Sequence, residues 1–271
     1  MGGRVYICAK FRYMIRSVIG AALSLILLAS CSQNNVTEED SLGKYFDAAG
    51  VDGSLGIFDN GQGHFTIYHL RRFRDSAYLP AASFDIVQSL IAIQTGVAAS
   101  DSALISDTVS LRKAFQTSND SAFIRLAGRI GKDTMKKWVD SLGYGNKQTG
   151  SSGSAFWLDN QLTITSDEQL GLIKKLYFDQ LPFFARPQQV TVKMMLTEAN
   201  SNYKLAYKTA VGTRPNGHRL GWILGWIEEN KHPYFFVLNL ESADPSKDLL
   251  NNGLTILHQS FQQLGFFQGK K

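Results

Sequence analysis

Strand-like runs stand at both ends of this chain and helical spacing fills the stretch between them, an order that constrains the fold more than any single motif does. Residues 53–68 read as two short strands around Asn60-Gly61, a dipeptide suited to a tight hairpin turn. Residues 220–229 and 234–241 are β-rich on either side of Asn230-Lys-His-Pro233, which makes a second hairpin. Between these ends, apolar residues recur at three and four over residues 86–97, 121–130, 133–142, 167–181 and 188–199. A last helix is expected over about 246–264, with Gly265 as its cap. The fold class that follows is α+β: an antiparallel β-sheet flanked by helices, with an inserted all-helical lobe.

The N-terminus has a different character. Residues 1–31 hold Arg4, Lys10, Arg12 and Arg16 and no acid. Without them 24 basic residues face 23 acidic ones, so the formal charge of +5 belongs to a targeting segment and does not mark a nucleic-acid partner. Its apolar run, Val18 to Ala29, is too short for a bilayer core of roughly 30 Å and suits a signal peptide. Translation from Met1 or from Met14 leaves that reading unchanged. The tetrapeptide Leu28-Ala29-Ser30-Cys31 resembles a bacterial lipobox, which implies a lipidated Cys31 and a membrane lipoprotein on a periplasmic or cell-surface face. Ordinary secretion with an incidental cysteine is the alternative. The expected organisation is a signal peptide at 1–30, a lipidated polar tether at 31–45 and a globular domain at 46–271. Removal of Cys8 leaves one cysteine, so no internal disulfide is possible.

Several separated segments resemble one family in its own order. The first is Tyr78-Leu-Pro-Ala-Ala-Ser-Phe-Asp, running on to Gln94-Thr-Gly96. Tyr144-Gly-Asn146, Phe156-Trp-Leu158, Lys208-Thr-Ala210 and Gly225-Trp-Ile-Glu228 follow it. The set resembles class D β-lactamases and the related penicillin-binding transpeptidases, over about residues 50 to 265. The resemblance implies a cleft with Tyr144, Asn146, Trp157, Thr209, Ala210 and Val211 around the substrate. It also implies a β-lactam or a peptidoglycan stem peptide as ligand and requires no cofactor.

The departures bear on chemistry. In the family a serine attacks the acyl carbon, and a lysine three residues later, one helical turn on, takes its proton. Aligning Pro80-Ala81 with the motif puts Ala82 at the serine position and Asp85 at the lysine position. A methyl group forms no acyl-enzyme. Ser83 is the adjacent hydroxyl, but one helical step turns it by about 100° and its partner three residues on is Ile86. As a plain structural residue, Ser83 would cap the helix with Asp85 in its first turn. Ser118-Asn119-Asp120 stands at the second family motif, where Ser118 is either a proton relay, a helix cap or both. Lys208 is expected to pair with Asp85 and close the site, and the methyl of Ala210 to narrow the groove. No arginine follows Arg219, so the family's carboxylate anchor is absent from Leu250-Asn-Asn-Gly253.

His64, His69, His218, His232 and His258 lack ligand spacing, so no metal site is expected. Trp222, Trp226, Phe235 and Phe236 alternate on strands and read as core. Three functions stay open at this point. The first is a lipid-anchored domain that binds without hydrolysing. The second is an active serine β-lactam hydrolase or acyl-transferase using Ser83 or Ser118, and the third is a structural envelope protein.

Overall fold

The computed structural model describes residues 35–150 and 155–271. The segment expected to be a signal peptide, Cys8 within it, and Cys31, the expected lipidation site, lie outside the described residues. The elements run β1 (Val36–Glu38), α1 (Gly43–Ala49), β2 (Asp52–Asp59), β3 (His64–Tyr68), α2 (Leu70–Asp75) and β4 (Ala77–Tyr78). After a 3-10 turn at Ala81–Phe84 come α3 (Asp85–Gln94), α4 (Leu111–Gln116), α5 (Asp120–Ile130), α6 (Lys132–Leu142) and β5 (Ile164–Thr165). The chain then forms α7 (Ser166–Tyr177), α8 (Ala185–Met195), β6 (Leu196–Ala199), β7 (Tyr203–Thr213), β8 (Arg219–Glu229), β9 (His232–Ser242) and α9 (Leu249–Gln263).

Seven strands make one sheet in the order β1-β3-β2-β9-β8-β7-β6, so the two terminal hairpins meet where β2 pairs with β9. All pairings are antiparallel except β1 with β3. Two-residue alternation sorts the side chains. Trp222, Leu224, Phe235 and Val237 face the helical lobe, whereas Ile223, Phe236 and Leu238 face α1 and α9. Each buried aromatic or aliphatic side chain contributes about 1.5–3 kcal/mol. Every residue of α3 from Asp85 to Ile93 is buried. A helix enclosed on all sides is the core of the lobe, and here it carries the candidate site at its first turn.

Three boundaries differ from expectation. Residues 36–45 are not tether, because Val36–Glu38 pairs with Phe65–Ile67 and Leu42 is fully buried. The helix expected over 188–199 stops at Met195, where Leu196 turns extended and pairs with Ala206. Glu198 and Ala199 are poor strand formers and outweigh the β-branched Thr197, so it is the sheet edge beside them that makes this segment β. Helix α7 ends at Tyr177 and not at Leu181, and its start is set by a reciprocal cap between Thr165 and Glu168. The last helix ends at Gln263, followed by Gly265 in the left-handed region at φ +83°.

The C-terminal tail is held by a buried carboxylate. Glu229, fully enclosed, accepts hydrogen bonds from the backbone N–H groups of Phe267, Lys270 and Lys271. Glu229→Ala strands those donors and is expected to lower stability by roughly 2–3 kcal/mol. Hydrogen exchange should show the loss of protection concentrated in residues 265–271; uniform loss across the sheet would contradict the assignment.

Candidate functional site

The 3-10 turn delivers Ala82 and Ser83 to the start of α3, and β7 faces them across the lobe. Ala82 is 3% exposed and presents only its methyl group. Lys208 Nζ lies 3.0 Å from Asp85 Oδ2, the pairing the sequence leads one to expect. The two side chains are 2% and 0% exposed. Lys208 also donates to the Phe115 carbonyl at 2.8 Å and to Ser118 Oγ at 2.6 Å, while Ser118 donates to the Thr209 carbonyl at 2.9 Å. Helices α3, α4, strand β7 and the turn before α5 thus converge on one ammonium-bearing side chain.

Burial pushes the Asp85 carboxyl up to about 7, Lys208 offsetting part of the shift and Asp120 adding to it. Asp120, in the first turn of α5, is itself raised by desolvation, with Lys208 acting against the rise. Two carboxyl groups therefore share the field of one lysine.

Ser83 does not cap α3. Its hydroxyl donates to the Pro80 carbonyl at 2.7 Å and accepts from Gln169 Nε2 at 2.8 Å, fully enclosed. The residue before α3 is Phe84, which has no capping side chain. Ser118 is not a cap either: Asn119 Oδ1 accepts from Ala122 N at 3.0 Å and fills that role. Gln169 and the Phe115 carbonyl are site groups that the sequence reading missed. A buried glutamine one turn after a capped helix start carries no pattern that marks it, and a backbone carbonyl carries none at all.

The residues assigned to substrate divide. Thr209 and Lys208 line a cavity of about 320 Å³ with Phe115, Gln116, Tyr207 and Asn251, which stands in the stretch that lacks the arginine. Val211 is half-buried on the same strand, whereas Ala210 is 1% exposed and faces the core opposite Trp222, so its methyl does not line the cavity. Tyr144 stands apart from this cavity. Its ring packs edge-on against Phe84 at 5.3 Å, and burial pushes its phenol up. Its backbone borders a separate cavity of about 430 Å³ that Gly145 and Leu172 also line. Asn146 braces a loop: it donates to the Gln161 carbonyl and accepts from the Gln148 and Thr163 amides. Gly145 between them has φ +49°, and a Cβ there would stand 2.1 Å from the Thr163 carbonyl oxygen, so the turn admits only glycine. Trp157 is fully buried and stacks on Phe84 at 5.7 Å; the Tyr-Gly-Asn and Phe-Trp-Leu segments together wall the site from behind.

A model of the penicillin binding protein transpeptidase domain matches residues 88–263, beginning just beyond Asp85. The β-lactamase OXA-48 of Klebsiella pneumoniae is 31% identical over 217 residues, 76% of this chain and 80% of its own length. OXA-20 of Pseudomonas aeruginosa is 26% identical over 251 residues, 87% of this chain and 92% of its own. Among solved structures, a class D β-lactamase from Nostoc is 30% identical with a TM-score of 0.77, covering 84% of this chain and 99% of that one. A class D β-lactamase from Sebaldella termitidis has a TM-score of 0.80 at 24% identity, with 86% and 98% covered. Family match, identity and shared sheet topology agree, and the chain belongs to the class D β-lactamase and penicillin-binding transpeptidase-like family.

Proposed function

We propose that this chain is a non-acylating member of its family, a domain that recognises a β-lactam-like or peptidyl ligand through the cleft beside β7 without forming a covalent intermediate. The observation that carries the reading is the methyl of Ala82 at the launching position, with Asp85 and Lys208 paired beneath it. Acyl transfer needs a hydroxyl within reach of a base. Ser83 has its proton on the Pro80 carbonyl, and the other polar groups beside it are the Gln169 amide and the Tyr144 phenol, neither of them an amine. Ser118 has its proton on the Thr209 carbonyl and receives a hydrogen bond from Lys208. In that arrangement Lys208 acts on Ser118 as donor.

The names of the relatives favour a second reading, hydrolysis through Ser83 or Ser118. One experiment separates the two. Incubation with a chromogenic β-lactam followed by intact-protein mass measurement is expected to show an unchanged mass and no turnover. An adduct mapped to the peptide of Ser83 or Ser118 overturns the non-acylating reading. Attachment to a membrane through Cys31 belongs to the same proposal and is supported by the Leu28-Ala-Ser-Cys31 tetrapeptide.

A further inference from the structure

We propose that the cleft beside β7 selects a peptide with no free carboxylate in the seated part, a carboxamide-ended or internal stretch, in preference to a penicillin-type β-lactam, which carries a carboxylate. The inference rests on the ligand-binding reading above and adds a charge rule to it. Of the described residues that line the cavity of about 320 Å³, Lys208 alone bears a charge. The rest of the wall is uncharged: the amides of Gln116 and Asn251, the hydroxyls of Tyr207 and Thr209, and apolar surface at Leu254.

Lys208 does not lend its charge to a ligand. Its Nζ is ringed by the Phe115 carbonyl at 2.8 Å, Ser118 Oγ at 2.6 Å and Asp85 Oδ2 at 3.0 Å, and the side chain is 2% exposed. An ammonium has three N–H groups, so three protein oxygens leave it none to offer. Asp85 also cancels it: an ion pair and an acid facing an amine both sum to zero, so the balance is the same wherever the proton rests. Two further carboxyl groups stand close by. Asp120 is near enough for its charge to act on Asp85 and to feel that of Lys208. Asp248 accepts from the backbone and side-chain N–H groups of Asn251, which hold it below the usual carboxylate range. The described charges around the cavity therefore sum to zero or less. A carboxylate entering it gives up water and meets no free cation in return.

A carboxamide is better matched. Asn251 directs an N–H of its side chain to Asp248, and its Oδ1 receives no hydrogen bond from a described donor, so it faces a ligand as an acceptor. Strand β6 pairs with β7 only as far as Ala206, and beyond that point no described strand covers the outer edge of β7. The main-chain groups of such an edge suit a peptide backbone. A carboxamide brings N–H donors to these acceptors, whereas a carboxylate is acceptor only.

An NMR titration of the purified full chain with N-acetyl-D-alanyl-D-alanine, as the free acid and as the C-terminal carboxamide, tests the inference at the Thr209 and Asn251 amides. The carboxamide is expected to bind at least about threefold tighter, the scale of one unscreened charge in a wet cleft. Gln116→Arg places a cation at an exposed position of the cavity wall and should raise affinity for the acid by about tenfold while leaving the carboxamide unchanged. A wild-type ratio below threefold, or an equal gain for both peptides in the variant, overturns the charge rule and leaves ligand recognition standing. Shifts with neither peptide overturn recognition and the charge rule together.

Discussion

Covalent capture of a β-lactam should appear when Ala82→Ser and Asp85→Lys are made together, with an acylation rate above the wild-type background by on the order of 10³-fold or more. Loss of a catalytic nucleophile costs an enzyme about 10⁶ in rate, and the absent arginine anchor caps what reinstatement recovers. The reasoning is electrostatic as well as geometric. A lysine at 85 would stand close to Lys208 in a site sealed from water, where two ammonium groups cannot both persist. One is driven neutral, and a neutral amine one turn from a hydroxyl is the base that acyl transfer requires. Ala82→Ser alone should gain little, because its hydroxyl then sits above the Asp85–Lys208 pair. Time-resolved intact mass measures the adduct. A folded double variant with no adduct would mean that a serine at 82 and a lysine at 85 do not by themselves confer capture.

The second large effect concerns stability. Glu241, 4% exposed, receives Arg72 at 3.0 Å, a close contact from Arg214 and His218 Nδ1 at 2.8 Å. Both guanidiniums also lie over the Tyr78 ring, at 4.7 and 4.9 Å. Glu241→Ala leaves Arg72 and Arg214, both over the Tyr78 ring, without their shared carboxylate; breaking a fully buried pair costs about 3–5 kcal/mol, and the partial exposure of Arg214 and His218 puts this network at or below the lower end of that range. A denaturant midpoint at the wild-type value would show the network to be dispensable. Burial opposes ionisation of Glu241, yet the hydrogen bonds from Arg214, Arg72 and His218 outweigh it and hold the carboxyl below its usual 4.5. Folding gains from a lowered carboxyl only while the unfolded chain is also ionised. The contribution is therefore complete above about 4.5 and fades as pH falls through the folded-state value. Asp85 has the opposite sign. A raised folded value contributes most below about 3.8 and loses ground as pH climbs toward about 7.

The sheet and the long helices were legible because their signals are local. Asn60-Gly61 specifies the first hairpin, alternation specifies β8 and β9, and three-and-four spacing specifies α5 and α6. Strand β6 and strand β1 were not legible, since each is made a strand by an edge contributed from elsewhere in the chain. The site divides in the same manner. The Asp85–Lys208 contact followed from two side chains at motif positions. The roles of Ser83 and Ser118 did not: each hydroxyl is claimed by a carbonyl, Pro80 or Thr209, that no sequence pattern announces. Tyr144 and Asn146 were assigned to substrate by their motif, and the structure places them behind the site, where a loop and an aromatic stack need them.

Seated on Glu229, residues 267–271 take part in the β-sheet's upkeep. Removal of residues 267–271 would leave the Glu229 side chain without those three donors at the end of β8, and the truncated form should melt ahead of the intact one. Reporter fusions and display handles appended after Lys271 accordingly pull on the sheet itself, whereas a handle on a loosely held tail would swing free of it.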